Sequence, residues 1–86
     1  MVYNLSMQKV TFYTKLNCHL CDEAYLMLIN VAYDIPLEID VLDVTRTRNR
    51  LESKYADRIP VITTASAANA LFWPFTSDDV RAYLER

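Results

Sequence analysis

The two cysteines of the chain, Cys18 and Cys21, lie three residues apart where an apolar run gives way to a helical pattern. Residues 9–13 are rich in β-branched and aromatic side chains and predict an interior strand. Apolar residues at intervals of three and four predict a helix from Cys18 to about Tyr33, whose core face is made of Leu20, Ala24, Met27, Leu28, Val31 and Ala32. Residues three apart in a first helical turn share one face, so the two sulfurs come within reach of a disulfide. We therefore expect a strand-to-helix turn that carries both cysteines, and a pair that can open and close reversibly.

This position also predicts which cysteine reacts first. A helix N-terminus stabilises a thiolate, because its unpaired N–H groups and aligned peptide dipoles carry partial positive charge. Cys18 is the predicted nucleophile, and Cys21, one turn further on and more buried, is the predicted resolving thiol. Lys15 adds positive charge, and His19 adds it when protonated. We assign His19 a tuning role or none, rather than that of an acid–base catalyst.

Composition limits the class of protein. The chain has 86 residues, 52% of them hydrophobic, which predicts one small domain with one core. Its net charge of −2 without a basic block gives no electrostatic reason to expect nucleic acid. No apolar run is long enough to span a membrane, and residues 1–8 lack the pattern of a signal peptide. We therefore expect a flexible leader over residues 1–8, a single domain over residues 9–86 and a cytoplasmic location.

The cysteine and glycine counts narrow the expectation further. Two cysteines do not form a disulfide framework, and in a reducing compartment a close pair is usually catalytic, redox-sensing or metal-binding. The chain has no glycine at all, so Asn, Asp, Ser or Pro must make its turns.

The remaining patterns predict the order βαβα followed by ββα. The first helix ends before Pro36, since a residue that precedes proline disfavours helix. The segment after it alternates apolar and acidic positions and predicts an edge strand. The predicted elements after the first helix are an edge strand over 37–42, a charged helix over 46–55, an antiparallel hairpin of 59–64 with 69–73, and a helix over 78–84 capped by Thr76 or Ser77.

Three motifs together resemble the glutaredoxin-like branch of the thioredoxin superfamily. They are the run from Tyr13 to Cys21, the segment Ile59-Pro60-Val61 and the capped last helix. Small bacterial glutaredoxin-like proteins with a Trp-Pro segment before the last helix are the most similar, and the resemblance covers the chain from Val10. It implies an α/β fold of the thioredoxin-like, glutaredoxin type: βαβαββα, with a four-stranded mixed sheet flanked by three helices.

The resemblance also implies a function. It predicts a thiol–disulfide oxidoreductase that reduces protein or glutathione mixed disulfides through its dithiol. It implies no tightly bound cofactor and no metal, with glutathione as a candidate co-substrate. The expected partners are a disulfide-containing protein or glutathione and a reductase that donates electrons, and the chain is expected to be a monomer.

Five further positions receive roles only through the resemblance. Pro60 would follow a cis peptide bond, which leaves the backbone of Ile59 free to bind an extended thiol peptide. Lys15 would meet a carboxylate of glutathione, and Ser77 and Asp78 would hold its other end at the start of the last helix. A solvated surface lysine and an ordinary trans proline are the alternatives.

The chain departs from the pattern of glutaredoxins before its last helix. Glutaredoxins usually have a Gly-Gly pair there, which lets glutathione approach the backbone, whereas this chain has Trp73-Pro74-Phe75. The departure leaves open an interaction module of thioredoxin fold without redox turnover. A third reading is a metal or cluster site with Cys18 and Cys21 as ligands, together with His19, which would need a dimer or exogenous thiols.

Overall fold

The computed structural model describes residues 7–46, 48–49 and 53–85. Within them four strands form one mixed sheet in the order β2-β1-β3-β4. The strands are β1 (Gln8–Thr14), β2 (Leu37–Asp43), β3 (Val61–Thr64) and β4 (Leu71–Phe72), and the helices assigned are α1 (His19–Ala32) and α2 (Ser77–Leu84). The predicted α/β class and four-stranded mixed sheet are confirmed.

Strand β1 lies in the interior of the sheet. The turn that follows it, residues 15–18, carries Cys18, and we call it the dithiol turn. Strand β1 pairs in parallel with β2 and antiparallel with β3, and β3 pairs antiparallel with β4. Tyr13 lies opposite Leu42 on one side and Val61 on the other, and Val61 lies opposite Phe72. The C-terminal ends of β1, β2 and β4 therefore lie at the same end of the sheet as the start of β3. The interior position of β1 and the edge position of β2 are confirmed.

Helix α1 packs one narrow face on this sheet. Its buried residues Cys21, Ala24, Leu28 and Val31 recur at intervals of three and four, as an amphipathic helix requires. They join side chains of the strands and of α2 in one core, made of Val10, Phe12, Cys21, Ala24, Leu28, Val31, Leu37, Ile62, Phe75, Val80, Tyr83 and Leu84. The sequence prediction that Leu20 belongs to the core face was wrong, because Cys21 takes that position and leaves Leu20 exposed.

Two predicted segments fall partly outside the described residues. In the predicted helix 46–55, residues 47 and 50–52 lie outside them; Arg48 and Asn49 are helical, and residues 54–58 form turns. The N–H of Ser53 donates to the carbonyl of Asn49 at 2.8 Å, the spacing of an α-helix. Residues 1–6 of the predicted leader also lie outside the described residues, and β1 begins at Gln8, one residue before the predicted strand.

Helix α2 begins with a capping box. The side chain of Thr76 accepts the N–H of Asp79 at 3.1 Å, and the carboxylate of Asp79 accepts the N–H of Thr76 at 2.8 Å. Thr76 is therefore the cap, and Ser77 is the first residue of the helix. Arg81 of α2 also forms an ion pair with Asp34, which follows α1. The cap fixes where α2 starts, and the ion pair links α2 to the end of α1.

The packing of α1 predicts a large difference between two leucines that are two residues apart. Leu28 is fully buried and Leu26 is 68% exposed. We expect Leu28→Ala to lower the free energy of unfolding by about 2–5 kcal/mol, since it removes apolar contacts and leaves a cavity. Leu26→Ala, the matched control, should change it by less than about 0.5 kcal/mol. Urea unfolding followed by circular dichroism measures both, and equal losses would contradict the assigned helix face.

Candidate active site

The turn between β1 and α1 depends on Asn17. Its φ is 60°, in the left-handed region, where most side chains clash with the backbone. Glycine avoids the clash, and Asn and Asp tolerate this conformation better than other residues. In a chain without glycine, asparagine is a suitable choice for this conformation. The prediction that Asn can replace glycine in a turn is confirmed at the residue that precedes Cys18.

Cys18 is the N-cap of α1. Its backbone is extended, with φ −112° and ψ 101°, and its Sγ accepts a hydrogen bond from the N–H of Cys21 at 3.2 Å. Its carbonyl accepts the N–H of Asp22 at 3.1 Å, which begins the helical ladder. The sulfur therefore lies among the first N–H groups of the helix, as the sequence predicted.

Cys18 and Cys21 are joined by a disulfide, with their Cα atoms 5.2 Å apart. The two sulfurs differ in exposure. Cys21 is 1% exposed and belongs to the core, whereas Cys18 is half-buried at the margin of the core. The predicted difference in burial is confirmed, and Cys18 is the more accessible residue of the pair.

The side chains around the cysteines that can carry positive charge lie near acidic side chains. The Nε2 of His19 lies 3.2 Å from the carboxylate of Glu23, one turn along the helix. A protonated imidazole would therefore be balanced by its own partner, which weakens any effect on the sulfur. Lys15 and Asp22 are both exposed beside the turn. The predicted tuning role of His19 stays a prediction.

Ile59 and Pro60 come directly before β3, so they lie at the same end of the sheet as the dithiol turn that follows β1. The Ile59-Pro60 peptide bond is cis, which the resemblance implied. Ile59 and Cys18 both pack at the margin of the same core. The Trp73-Pro74 bond is cis as well, and the sequence analysis did not predict it, because proline alone does not reveal its isomer.

The segment that replaces the Gly-Gly pair extends the hairpin. The N–H of Trp73 donates to the carbonyl of Pro60 at 3.3 Å. The rings of Trp73 and Phe75 meet edge to face at 5.0 Å, with Phe75 buried in the core and Trp73 packed against it. Pro74 is the exposed residue of the three. Both large rings are therefore used in packing.

Ser77 and Asp78 lie in the first turn of α2. The capping box satisfies the N–H of Asp79, so it leaves the N–H groups of Ser77 and Asp78 for other partners. The side chain of Asp78 is exposed. Among the described residues, neither residue forms a side-chain hydrogen bond or ion pair with the dithiol turn. Their predicted roles, like those of Lys15 and Ile59, stay predictions.

A groove that the sequence analysis missed lies on the other side of the dithiol turn. It occupies about 620 Å³ between α1 and β2, and its walls include Leu16, Cys21, Leu26, Val41 and Asp43. We call it the α1–β2 groove. Apolar residues of α1 outside its core face were the available signal, but they did not reveal that β2 would leave the adjacent surface uncovered.

Neither a metal cluster nor a membrane span is found in the described part of the chain. No three side chains among His, Cys, Asp and Glu are grouped so that they could hold a metal ion there. The helices described are also too short or too polar to cross a bilayer.

The chain is similar to a known family and to solved structures. Residues 9–85 match the Glutaredoxin-like domain (DUF836). A crystal structure of the protein XcR50 from X. campestris is 30% identical, with a TM-score of 0.71 over 88% of this chain and 95% of that chain. The solution structure of protein Ne2328 from Nitrosomonas europaea is 26% identical, with a TM-score of 0.73 over 96% of this chain and 98% of that chain. No curated protein matches the sequence.

The turn before Cys18 predicts an unusual order of stability at position 17. Asn17→Val should lower the free energy of unfolding by about 1–2 kcal/mol, since a β-branched side chain is strained at positive φ. Asn17→Gly should stay within about 1 kcal/mol of the parent, because glycine adopts this conformation without a clash. Urea unfolding of the two variants checks the order. A valine variant as stable as the glycine variant would contradict the assigned turn.

Proposed function

Because the chain belongs to the Glutaredoxin-like domain (DUF836) family and has the thioredoxin-like fold, we propose that it is a thiol–disulfide oxidoreductase. Its dithiol, Cys18 and Cys21, reduces protein disulfides or glutathione mixed disulfides. The family and the cysteine spacing establish a redox-type function of the thioredoxin kind. The reaction and its substrates are the proposal.

One observation carries the proposal, namely the hydrogen bond from the N–H of Cys21 to the Sγ of Cys18 at 3.2 Å. In the reduced protein this donor, with the helix dipole behind it, would stabilise a Cys18 thiolate. A thiolate is the nucleophile in disulfide exchange, and a sulfur at a helix N-terminus is a good leaving group for the same reason. Position at the cap therefore supports both directions of the exchange.

The reaction proceeds in two exchanges. The Cys18 thiolate attacks one sulfur of the substrate disulfide, which forms a mixed disulfide and releases the other sulfur as a thiolate that takes up a proton. The Cys21 thiol then loses its proton and attacks the Sγ of Cys18, which forms the Cys18–Cys21 disulfide and releases the second substrate thiol. Two electrons have passed from the dithiol to the substrate. Two molecules of a thiol such as glutathione, or a dithiol of a reductase, return the electrons.

The residues around the sulfurs have proposed roles in holding the substrate. The peptide bond before Pro60 is cis and lies at the end of the sheet next to the dithiol turn. It supports binding of an extended peptide by the backbone of Ile59. Lys15 is exposed and would pair with a carboxylate of glutathione. The first-turn N–H groups of Ser77 and Asp78 would hold the other carboxylate. We expect the chain to act as a monomer in the cytoplasm, where glutathione is available as reductant.

The roles of the two cysteines predict opposite adducts in single variants. With glutathione disulfide, Cys21→Ser should accumulate a glutathione adduct at Cys18, because the resolving thiol is gone. Cys18→Ser should form little adduct at buried Cys21, and its reduction of insulin should fall by at least about a hundredfold. Alkylation followed by mass spectrometry identifies the modified residue.

Two outcomes of that experiment would change the assignment. An adduct at Cys21 in Cys18→Ser, with none at Cys18 in Cys21→Ser, would reverse the roles. A parent protein that reduces neither insulin nor glutathione mixed disulfides, with glutathione or with a thioredoxin reductase system as donor, would contradict the proposed reaction and favour a binding module.

The proposed ion pair with glutathione makes Lys15 testable against a matched lysine. Lys15→Gln should lower kcat/KM for a glutathione mixed disulfide up to about fivefold, the range of an exposed ion pair. The loss should shrink as salt is raised, since exposed charges are screened. Lys9→Gln is the control, because Lys9 is also exposed but pairs with Glu38 near the start of the sheet's central strand. Equal effects of both variants would contradict the role of Lys15.

A further inference from the structure

The α1–β2 groove exposes three large apolar side chains. Leu16 is 80% exposed, Leu26 is 68% exposed and Val41 is 52% exposed, and all three line the groove. Single exposed apolar residues are common, but a concave group of them is typical of a binding surface. The groove is therefore a candidate recognition site.

The architecture explains why this surface is open. Val41 of β2 lies opposite Phe12 of β1 in the parallel register, on the sheet face that α1 covers. The helix covers Phe12 with the ring of Tyr25, at 5.6 Å between centroids, and Leu37 and Ile39 of β2 pack in or against the core, but Val41 is left exposed. The end of β2 at Val41 is thus left uncovered beside the helix, and no other described element covers it.

The groove is continuous with the dithiol. Lys15, Leu16 and Asn17, the turn that carries Cys18, form one wall, and the buried Cys21 contributes to the lining. One end of the groove therefore lies next to the turn that carries Cys18. A chain attached to a disulfide at Cys18 can extend into the groove.

The charges at the rim indicate which chain would fit. Asp22 and Asp43 line the groove with a single base, Lys15. Asp43 is held in place by Thr45, whose N–H and hydroxyl donate to its Oδ1 at 2.8 and 2.6 Å. The hydrogen bond from the Thr45 hydroxyl, assisted by the one from its N–H, lowers the pKa of Asp43, so its carboxylate is ionised at neutral pH. With two carboxylates and one base, the rim is acidic overall and favours a basic side chain.

We propose that the α1–β2 groove binds an extended segment of a protein substrate next to its disulfide, with an apolar side chain between Leu26 and Val41 and a basic side chain at Asp22 and Asp43. The proposal rests on the proposed oxidoreductase function and names its substrate class. The groove adds no covalent step, because the two exchanges at Cys18 and Cys21 are unchanged.

The test compares three disulfides that differ only outside the reacting sulfurs. Two are symmetrical disulfide-linked dimers of an eight-residue peptide, one with leucine and arginine beside its cysteine and one with serine and aspartate at those positions. Symmetry makes the two sulfurs of each probe equivalent. The third is glutathione disulfide. Single-turnover reduction by the reduced protein gives a rate constant for each.

We expect the parent protein to reduce the leucine–arginine probe about tenfold faster than the serine–aspartate probe, a difference of about 1.4 kcal/mol. The double variant Leu26→Gln with Val41→Thr should remove most of this preference and leave the rate with glutathione disulfide within about twofold. Tyr33→Ser is the control, because Tyr33 is 84% exposed and lies at the other end of α1, outside the groove. It should keep the full preference.

The outcomes separate this inference from the proposed function. Equal rates for the two peptide probes, or a double variant that slows all three disulfides alike, would overturn the groove's role while the oxidoreductase function stands. A parent protein that reduces none of the three would overturn the function and the inference with it. A dimer in sedimentation analysis that the double variant dissolves would assign the groove to a second copy of the chain and overturn the proposal.

Discussion

The hydrogen bond from the N–H of Cys21 to the Sγ of Cys18 joins the fold to the chemistry. The same sulfur caps α1 and belongs to the less buried cysteine, so the start of the helix also sets the position of the proposed nucleophile. The spacing then places the second sulfur on the buried face of α1, above Ala24 and Leu28. The different exposure of the two sulfurs follows from helix geometry and hydrophobic packing, without any further device.

The sheet topology places this turn between two different surfaces. Because β1 lies between β2 and β3, the turn that follows it has the end of β2 on one side and Pro60 on the other. The Pro60 side continues through Trp73 to the start of α2, and the β2 side continues into the α1–β2 groove. The proposed nucleophile thus lies between two chemically distinct walls, since the groove is apolar with an acidic rim and α2 offers backbone N–H groups.

The sequence predicted what local rules determine. The dithiol turn, the edge character of the alternating β2 strand and the capped last helix follow from spacing, period and capping residues, and all three are present. The core face of α1 was only partly predicted, because Leu20 and Cys21 are adjacent and only packing decides which one turns inward. The exposure of Val41 could not be predicted from local sequence for the same reason, because it depends on how far α1 extends across the sheet.

The absence of glycine affects how a ligand can bind on either side of the dithiol turn. Where glutaredoxins usually have two glycines, the backbone of this chain is already engaged, because the N–H of Trp73 binds the carbonyl of Pro60 and the rings of Trp73 and Phe75 pack inward. The contacts proposed for a ligand on that side are therefore those of Ile59 and the first turn of α2. The β2 side has no such constraint, since its surface is made of exposed side chains. Contacts that distinguish one substrate from another are accordingly more available in the groove than at the hairpin.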